Sequence, residues 1–326
     1  DWGLREALGQ RRAGASVDHL RAATSISRYG AEVLLEAGCC IGVVAQDDVG
    51  RYHLTPTGRF LRSDPMTVVN LNFVKAICYT GMADLTESIR QGQPVGLRAL
   101  GDWATIYEGL SQLSPKARAA WLAFDHYYSD TAFPAALEVV FERPVGHLFD
   151  LGGNTGRWAR ACCAHDPVVQ VTMVDLPPQL AAAKAANAAT AFDQRIHYQA
   201  LDLLDPSAGW PCLQAADAIW MSQLLDCFSP AMIRSILGQV YRAAGPDTAI
   251  YILEPLVDNQ RFEASRFCLV GASLYFTAIA NGNSRFYDKA AMEAWATGFE
   301  VVAKYELIGD SYHTLLHLRK PATTAD

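Results

Sequence analysis

From residue 145 onward short apolar runs alternate with amphipathic stretches, and that alternation leaves few folds open. "VGHLFDLGG", "VVQVTMVDL", "RIHYQALDL", "ADAIWMSQ" and "TAIYILEP" are short and largely apolar, as strands buried on both faces must be. "PPQLAAAKAANAA" and "SPAMIRSILGQVYRAA" lie between them with helical periodicity, and a last pair of runs, "FEVVAKYELI" and "YHTLLHLRK", follows the helical "DKAAMEAWAT". The pattern predicts an α/β domain over residues 144–326: a Rossmann-like, mostly parallel sheet whose ligand sits beyond the carboxyl ends of its strands.

The chain ahead of that domain has a different texture. Residues 1–65 read as short helices, a strand, the turn "DDVG", a second strand and a helix started by Thr55 as N-cap with Pro56 at its first position. That is the order of a winged-helix unit. Such a unit grips DNA only with surplus cations, yet this segment has eight arginines, eight acids and no lysine, and the chain carries a net charge of −7. A dimerisation module is expected instead, with no nucleic-acid partner. Residues 66–143 read as helices bearing large apolar side chains on more than one face. Within them "FDHYYSD" gathers Phe124, His126, Tyr127 and Tyr128, either as walls of a pocket for a flat substrate or as ordinary core aromatics.

No stretch approaches the roughly 18 apolar residues of a membrane span, and none reads as a signal peptide. The eight cysteines, among them the adjacent pairs Cys39-Cys40 and Cys162-Cys163, form no CxxC motif. Buried free thiols in a reducing cytoplasm are expected, with no metal site.

The strand ends carry the chemistry. In "FDLGGNTG", Gly152, Gly153 and Gly156 permit a tight strand-to-helix turn and a close backbone approach to a ligand. Asp150, just ahead, would repel a pyrophosphate but suits an ammonium group. Asp175 ends the second strand, where a carboxylate can accept both hydroxyls of a ribose. Asp202 ends the third and suits an adenine amine. Three acids at three consecutive strand ends describe a ligand with an amine, a ribose and a base.

On "LFDLGGNTGRWA", "VTMVDLP", "LDLLDP" and "DAIWMSQLLDCFSPAMIRSIL" the chain resembles the class I S-adenosylmethionine-dependent methyltransferases, and within them the small-molecule O-methyltransferases with a winged-helix N-terminal domain. "YHLTPTGRFLRSD" is similar to the end of that N-terminal domain. The resemblance implies S-adenosylmethionine as cofactor. It assigns Asp150 and the glycine turn to the methionine end, Asp175 with Leu176 to the ribose, Asp202 with Leu203 to the adenine, and Ser222 to the same site. Asn154 departs from it, standing where the family usually has a third glycine; Asn tolerates unusual backbone angles.

The larger departure is "LDCF". Plant-type members carry leucine-histidine-aspartate-tryptophan there, and the histidine deprotonates the substrate's phenol. Here Asp226 takes the histidine's position, Cys227 the aspartate's and Phe228 the tryptophan's, while Glu254 falls where the family places an acid that orients the histidine. Ser284 replaces a second family acid. An aqueous Asp has a pKa of about 4 against about 10 for a phenol, so either burial beside Glu254 raises it or another residue takes the proton. His126 and His313 are the alternatives, with His313 as readily a surface residue. The changed base, and a looser resemblance to methyltransferases of bacterial aromatic-metabolite and aryl polyene pathways, lean towards methylation of a phenolic ring carbon rather than oxygen. A cofactor-binding enzyme that transfers no methyl and a winged-helix regulator are the competing readings.

The winged unit and the aromatic helices of residues 1–143 together predict a homodimer with an interface above about 2,000 Å². Sedimentation at micromolar concentration should show the dimer; a monomer alone would refute it.

Overall fold

Serine, threonine and aspartate caps set the helix starts in the first part of the chain. The computed structural model describes residues 3–11, 13–205, 209–211, 213–296 and 298–321. Helices α1 (Leu4–Gly9), α2 (Val17–Ala23) and α3 (Arg28–Cys40) precede a hairpin of β1 (Val44–Gln46) and β2 (Tyr52–Leu54), then α4 (Pro56–Ser63) and α5 (Pro65–Phe73). The Thr55 hydroxyl accepts from Gly58 N–H at 3.0 Å, with Pro56 at the first helical position, so the cap read from the sequence is present. Gly58 is needed here, because a Cβ would fall 2.0 Å from the Val43 carbonyl oxygen. Leu8, Leu20, Leu35, Val44 and Leu54 form the core of these elements. On α3, Arg28 is bound to Glu32 at 2.9 Å and to Asp18 at 3.0 Å, leaving no spare cation on that helix's first turn.

The chain forms two compact units, Asp1–Val74 and Lys75–Asp326. The sequence segment 66–143 therefore divides, α5 falling in the first unit. In the second unit α6 (Leu85–Gln91), α7 (Ile106–Gly109) and the 26-residue α8 (Pro115–Val140) precede the sheet.

All seven apolar runs form strands. They are β3 (His147–Leu151), β4 (Gln170–Asp175), β5 (Ile196–Ala200), β6 (Ala218–Ser222), β7 (Ala249–Glu254), β8 (Glu300–Tyr305) and β9 (Thr314–Arg319). Their order is β5-β4-β3-β6-β7-β9-β8, with only β9 antiparallel to its neighbours. Helices α9 (Arg157–His165), α10 (Pro177–Asn187), α11 (Pro230–Ala243), α12 (Glu263–Tyr275) and α13 (Lys289–Trp295) connect them. One face packs on Ile233, Ile236, Leu237 and Trp295, the other on Ala132, Ala136, Trp158 and Ala159. The Trp158 ring stacks on Trp220 of β6 with centroids 3.9 Å apart. Strand β3 pairs with β4 on one side and β6 on the other, so the crevice where the winding direction reverses opens beyond β3, which ends in Asp150 and Leu151.

The expected burial of the thiols holds for Cys78, Cys162 and Cys163 but not for Cys40 and Cys268, which are exposed; Cys40 ends α3 on the side away from its buried face of Ala31, Leu35 and Gly38. Cys212 lies outside the described residues. No helix among the described residues is long and apolar enough to cross a membrane.

Candidate active site

The turn after β3 is built on two left-handed residues besides glycine's own allowance at its end. Gly152 and Gly156 have φ of 74° and 75°, and Asn154 has φ of 48°, so the asparagine does adopt the backbone angle that a third glycine would supply. Gly152 N–H donates to the Val174 carbonyl at 2.8 Å and Gly156 N–H to Gly153 at 2.8 Å, closing the turn. At Gly153 a Cβ would meet Asp150 Oδ2 at 2.6 Å. Asp150 is 2% exposed, its Oδ2 has no hydrogen-bond partner, and burial with the nearby Asp175 charge pushes its pKa up to about 8. A buried acceptor with no donor beside a glycine cradle fits a cationic group of a ligand.

Asp175 ends β4 and is already engaged by backbone: Asn154 N–H donates to Oδ2 at 2.8 Å and Leu176 N–H to Oδ1 at 2.7 Å. Burial still raises its pKa to about 6. Asp202 is exposed, accepting from Leu204 N–H at 2.9 Å, and Leu203 is half-buried against the core. At the end of β6, Ser222 keeps a buried hydroxyl without a partner. Beside the turn a cleft is lined by Leu110, Arg118, Trp121, Asn154, Thr155 and Gln179.

Asp226 lies in the helical turn Leu225–Cys227 and is 5% exposed. Burial raises its pKa to about 7, assisted by the charge of Asp125. The Cys227 thiol donates to its Oδ1 at 3.4 Å. Tyr107 is buried against this group without a hydrogen-bond partner for its hydroxyl, and burial, Cys227 and Asp226 hold its phenol well above the usual range. The start of α11 is capped by Ser229 instead, which accepts from Met232 N–H. Asp226 is thus not occupied as a helix cap.

Glu254 does something other than orient a neighbouring side chain. Its Oε1 accepts from Leu224 N–H at 3.0 Å and Leu225 N–H at 2.7 Å, fixing the backbone of the Asp226 turn. Burial and the Asp226 carboxylate push its pKa well above the carboxylate range, against the backbone N–H groups that lower it. Ser284, in place of the second family acid, bonds the Asn281 amide, which donates to the Cys227 carbonyl at 2.6 Å. The Tyr287 hydroxyl donates to the Phe228 carbonyl at 2.7 Å. Both former acid positions now hold the turn in place.

The histidines differ from the sequence reading. His313 is 1% exposed rather than on the surface, because it precedes β9 inside the sheet edge and its Nε2 meets Gln223 Oε1 at 2.9 Å. Burial lowers its pKa to about 4. His126 is half-buried, with Nε2 2.9 Å from the Thr155 hydroxyl, and burial with the Arg157 charge lowers its pKa to about 4. Each is a weaker proton acceptor than a free imidazole. Phe124, Tyr127 and Tyr128 line α8, where Tyr128 meets Phe124, Tyr127 and Tyr312 edge-on at centroid distances of 5.2, 5.3 and 5.8 Å.

Asp125 and Tyr107 are the functional groups that sequence reading missed. Asp125 stands in the quoted "FDHYYSD", but its helix position relative to the turn was not legible. Its Oδ2 accepts from Asn154 Nδ2 at 3.0 Å, and burial raises its pKa to about 7. Among the described residues no cluster of three or more His, Cys, Asp or Glu is placed to hold a metal ion.

Residues 84–300 match the model of the O-methyltransferase domain family. The chain belongs to this family. Across 301 residues it is 23% identical to the L-tyrosine C(3)-methyltransferase of Streptomyces lavendulae, covering 91% of this chain and 78% of that one. It is 24% identical over 271 residues to the acetylserotonin O-methyltransferase of Gallus gallus, covering 79% and 75%. Among solved structures, the O-methyltransferase NcsB1 of neocarzinostatin biosynthesis, in complex with S-adenosylmethionine and 2-hydroxy-5-methyl naphthoic acid, superposes with a TM-score of 0.73 at 20% identity, covering 98% of this chain and 93% of that one. The mitomycin 7-O-methyltransferase MmcR gives 0.74 at 18% identity, covering 98% and 91%. The protein is an S-adenosylmethionine-dependent methyltransferase of the small-molecule type, and the unpartnered Asp150 oxygen and the Gly153 cradle suit the cofactor's ammonium group.

These carboxylates make stability depend on pH. With folded pKa values of about 8, 7, 7 and 6 for Asp150, Asp125, Asp226 and Asp175, the folded state holds protons that the unfolded state has released by about pH 5. His126 and His313 act oppositely, but only below their ordinary value of about 6.5. Between about pH 6.5 and 7.5 the cofactor-free melting temperature should therefore fall, and the rise on adding S-adenosylmethionine should grow, because its cation favours ionised Asp150. Scanning calorimetry checks both; a melting temperature that climbs across this window would contradict the assignment.

Proposed function

We propose that this methyltransferase acts on a small phenolic or related aromatic metabolite, at the ring carbon ortho to a hydroxyl, with Asp226 accepting the phenol's proton. The observation that carries the reading is Asp226 itself, a buried acid in the position of the family's histidine whose pKa lies at about 7. A general base is most effective when its pKa is near the working pH, and desolvation has moved an ordinary carboxylate there. Asp150, Asp175 and Asp202 would hold S-adenosylmethionine, which supplies the methyl group from its sulfonium.

Removing the phenol proton raises electron density at the oxygen and at the ortho carbon, so presentation of the ring decides where the methyl goes. The edge-on aromatic row of Phe124, Tyr127, Tyr128 and Tyr312 offers flat walls for such a ring. The Streptomyces lavendulae relative, named for C(3) of L-tyrosine, a position ortho to its hydroxyl, supports carbon. The O-methyltransferase in complex with a hydroxylated naphthoic acid supports a fused or substituted phenol as the substrate class. Glu254, gripping the backbone of the turn, holds Asp226 at a fixed height.

With L-tyrosine and a panel of simple phenols and hydroxynaphthoic acids, methyl-labelled cofactor and mass spectrometry should reveal a product labelled on a ring carbon. Asp226→Asn should lower kcat by about 10²–10⁴ while calorimetry shows cofactor affinity nearly unchanged. Full turnover at saturating substrate in Asp226→Asn would remove Asp226 from the chemistry.

A further inference from the structure

Gln223 is the residue at which the chain leaves β6 for the Asp226 turn, and it does so at φ of 47°. Ser222 still pairs with Leu253 of β7 in regular register, and the Gln223 N–H reaches the Leu253 carbonyl at 2.9 Å. The next two amides leave the ladder and point at Glu254 Oε1, at 3.0 and 2.7 Å. A left-handed angle at a non-glycine residue is strained and persists only where the surroundings fix it. The side chain supplies one such contact: Gln223 Oε1 lies 2.9 Å from His313 Nε2. Glycine would take the angle without strain but could not reach the histidine.

His313 is itself held on every side. Its N–H donates to Ser311 Oγ at 3.1 Å and its carbonyl accepts from Ile308 N–H at 2.9 Å. The next residue, Thr314, stands opposite Glu254 in the β7–β9 register, and its hydroxyl accepts from Asn259 Nδ2 at 2.8 Å. The ring is 1% exposed, and its Nδ1 has no hydrogen-bond partner. Buried acceptors without a donor are commoner than buried N–H groups without an acceptor. The ring therefore carries its proton on Nε2 and donates it to Gln223 Oε1. With Nδ1 enclosed, this candidate for the base acts through another residue rather than on a substrate.

We propose that His313 is a positioning residue: its bond to Gln223 holds the left-handed kink, and the kink sets where the Asp226 carboxylate stands. This rests on Asp226 as the proton acceptor. Between the kink and Asp226 lies only the start of the turn Leu225–Cys227. The Cys227 thiol closes that turn, reaching the Gln223 carbonyl at 3.7 Å and Asp226 Oδ1 at 3.4 Å. A rotation at Gln223 is thus passed to the carboxylate with little to absorb it. Glu254 and the Asn281 amide, 2.6 Å from the Cys227 carbonyl, fix the backbone of the turn; His313 fixes the joint by which it leaves the sheet. Misplacing a catalytic group by about 1 Å can cost on the order of a hundredfold in rate, so this joint bears on turnover without touching the substrate.

His313→Leu fills the space and deletes the donor, whereas His313→Gln keeps an N–H donor near the Nε2 position. With a phenol turned over by the wild type, His313→Leu should lower kcat roughly ten- to a hundredfold. KM for S-adenosylmethionine should stay within about threefold, and His313→Gln should recover most of the lost kcat. Gln223→Gly should lose as much as His313→Leu, and combining the two should cost nothing further. In the cofactor-free protein, hydrogen exchange at the Leu224 and Leu225 amides should quicken about tenfold or more in His313→Leu. The rest of β6 and β9 should stay as protected as in the wild type, and His313→Gln should restore the two amides. Nitrogen-15 NMR should find the wild-type ring neutral and protonated on Nε2. Unchanged exchange at both amides, equal losses in His313→Leu and His313→Gln, or a ring protonated on Nδ1 overturns the proposal. If His313→Leu does not fold, exchange in Gln223→Gly and the ring tautomer decide it. If Asp226→Asn keeps full turnover, the reading of Asp226 as the base fails, while amide exchange still decides whether His313 holds the turn.

Discussion

Desolvation of carboxylates is the constraint around which the catalytic unit is arranged. Asp150, Asp226 and Glu254 are each no more than 5% exposed, and Asp125 and Asp175 are half-buried. An ionised carboxylate out of water costs several kcal/mol unless donors replace the lost hydration. The structure supplies donors selectively. Asp175 takes two backbone N–H groups and Glu254 takes at least two, whereas Asp150 Oδ2 receives none. The N–H groups on Asp175 and on one oxygen of Glu254 hold their turns in place, while Glu254 Oε2 and Asp150 Oδ2 have no partner, and the latter suits a cation. At Asp150 proton affinity and the binding of a cationic ligand are therefore linked.

What the sequence made legible follows from which of these features are local. Strands, their order along the chain and the cap at Thr55 depend on neighbouring residues, and each forms where its pattern places it. The left-handed angle at Asn154 was legible for the same reason: the glycines around it already imply the turn. The chemistry of pairs was not. Asp125 meets Asn154 across 29 positions and His313 meets Gln223 across 90, and no periodicity within a segment announces such a pairing. His126 is a candidate from the sequence because histidines are the usual bases, while the acid beside it carries no signal of its own there. Only the packing of α8 against the glycine turn distinguishes the two.

The same limit explains Glu254. Its alignment with a family acid was visible, but its partner had changed from a side chain to a backbone. When the histidine became Asp226, an orienting acid beside it would have become a second like charge. Engaging its Oε1 with the N–H groups of Leu224 and Leu225 turns that liability into a clamp. Ser284 and Asn281 complete the change by gripping the Cys227 carbonyl from the other side.

That clamp has a cost, and it falls on Gln223, a non-glycine residue at φ of 47°. Left-handed backbone at such a residue costs on the order of 1 kcal/mol. The kink turns the chain out of β6 so that the next amides point at Glu254 rather than continuing the ladder. Gln223 N–H still reaches the Leu253 carbonyl at 2.9 Å, and its side chain meets His313, so no strand-end bond is given up. A buried histidine held near the far edge of the sheet thereby steadies the residue that aims the turn. The strain at Gln223, the Glu254 clamp and the buried acid at position 226 are thus joined in one local network.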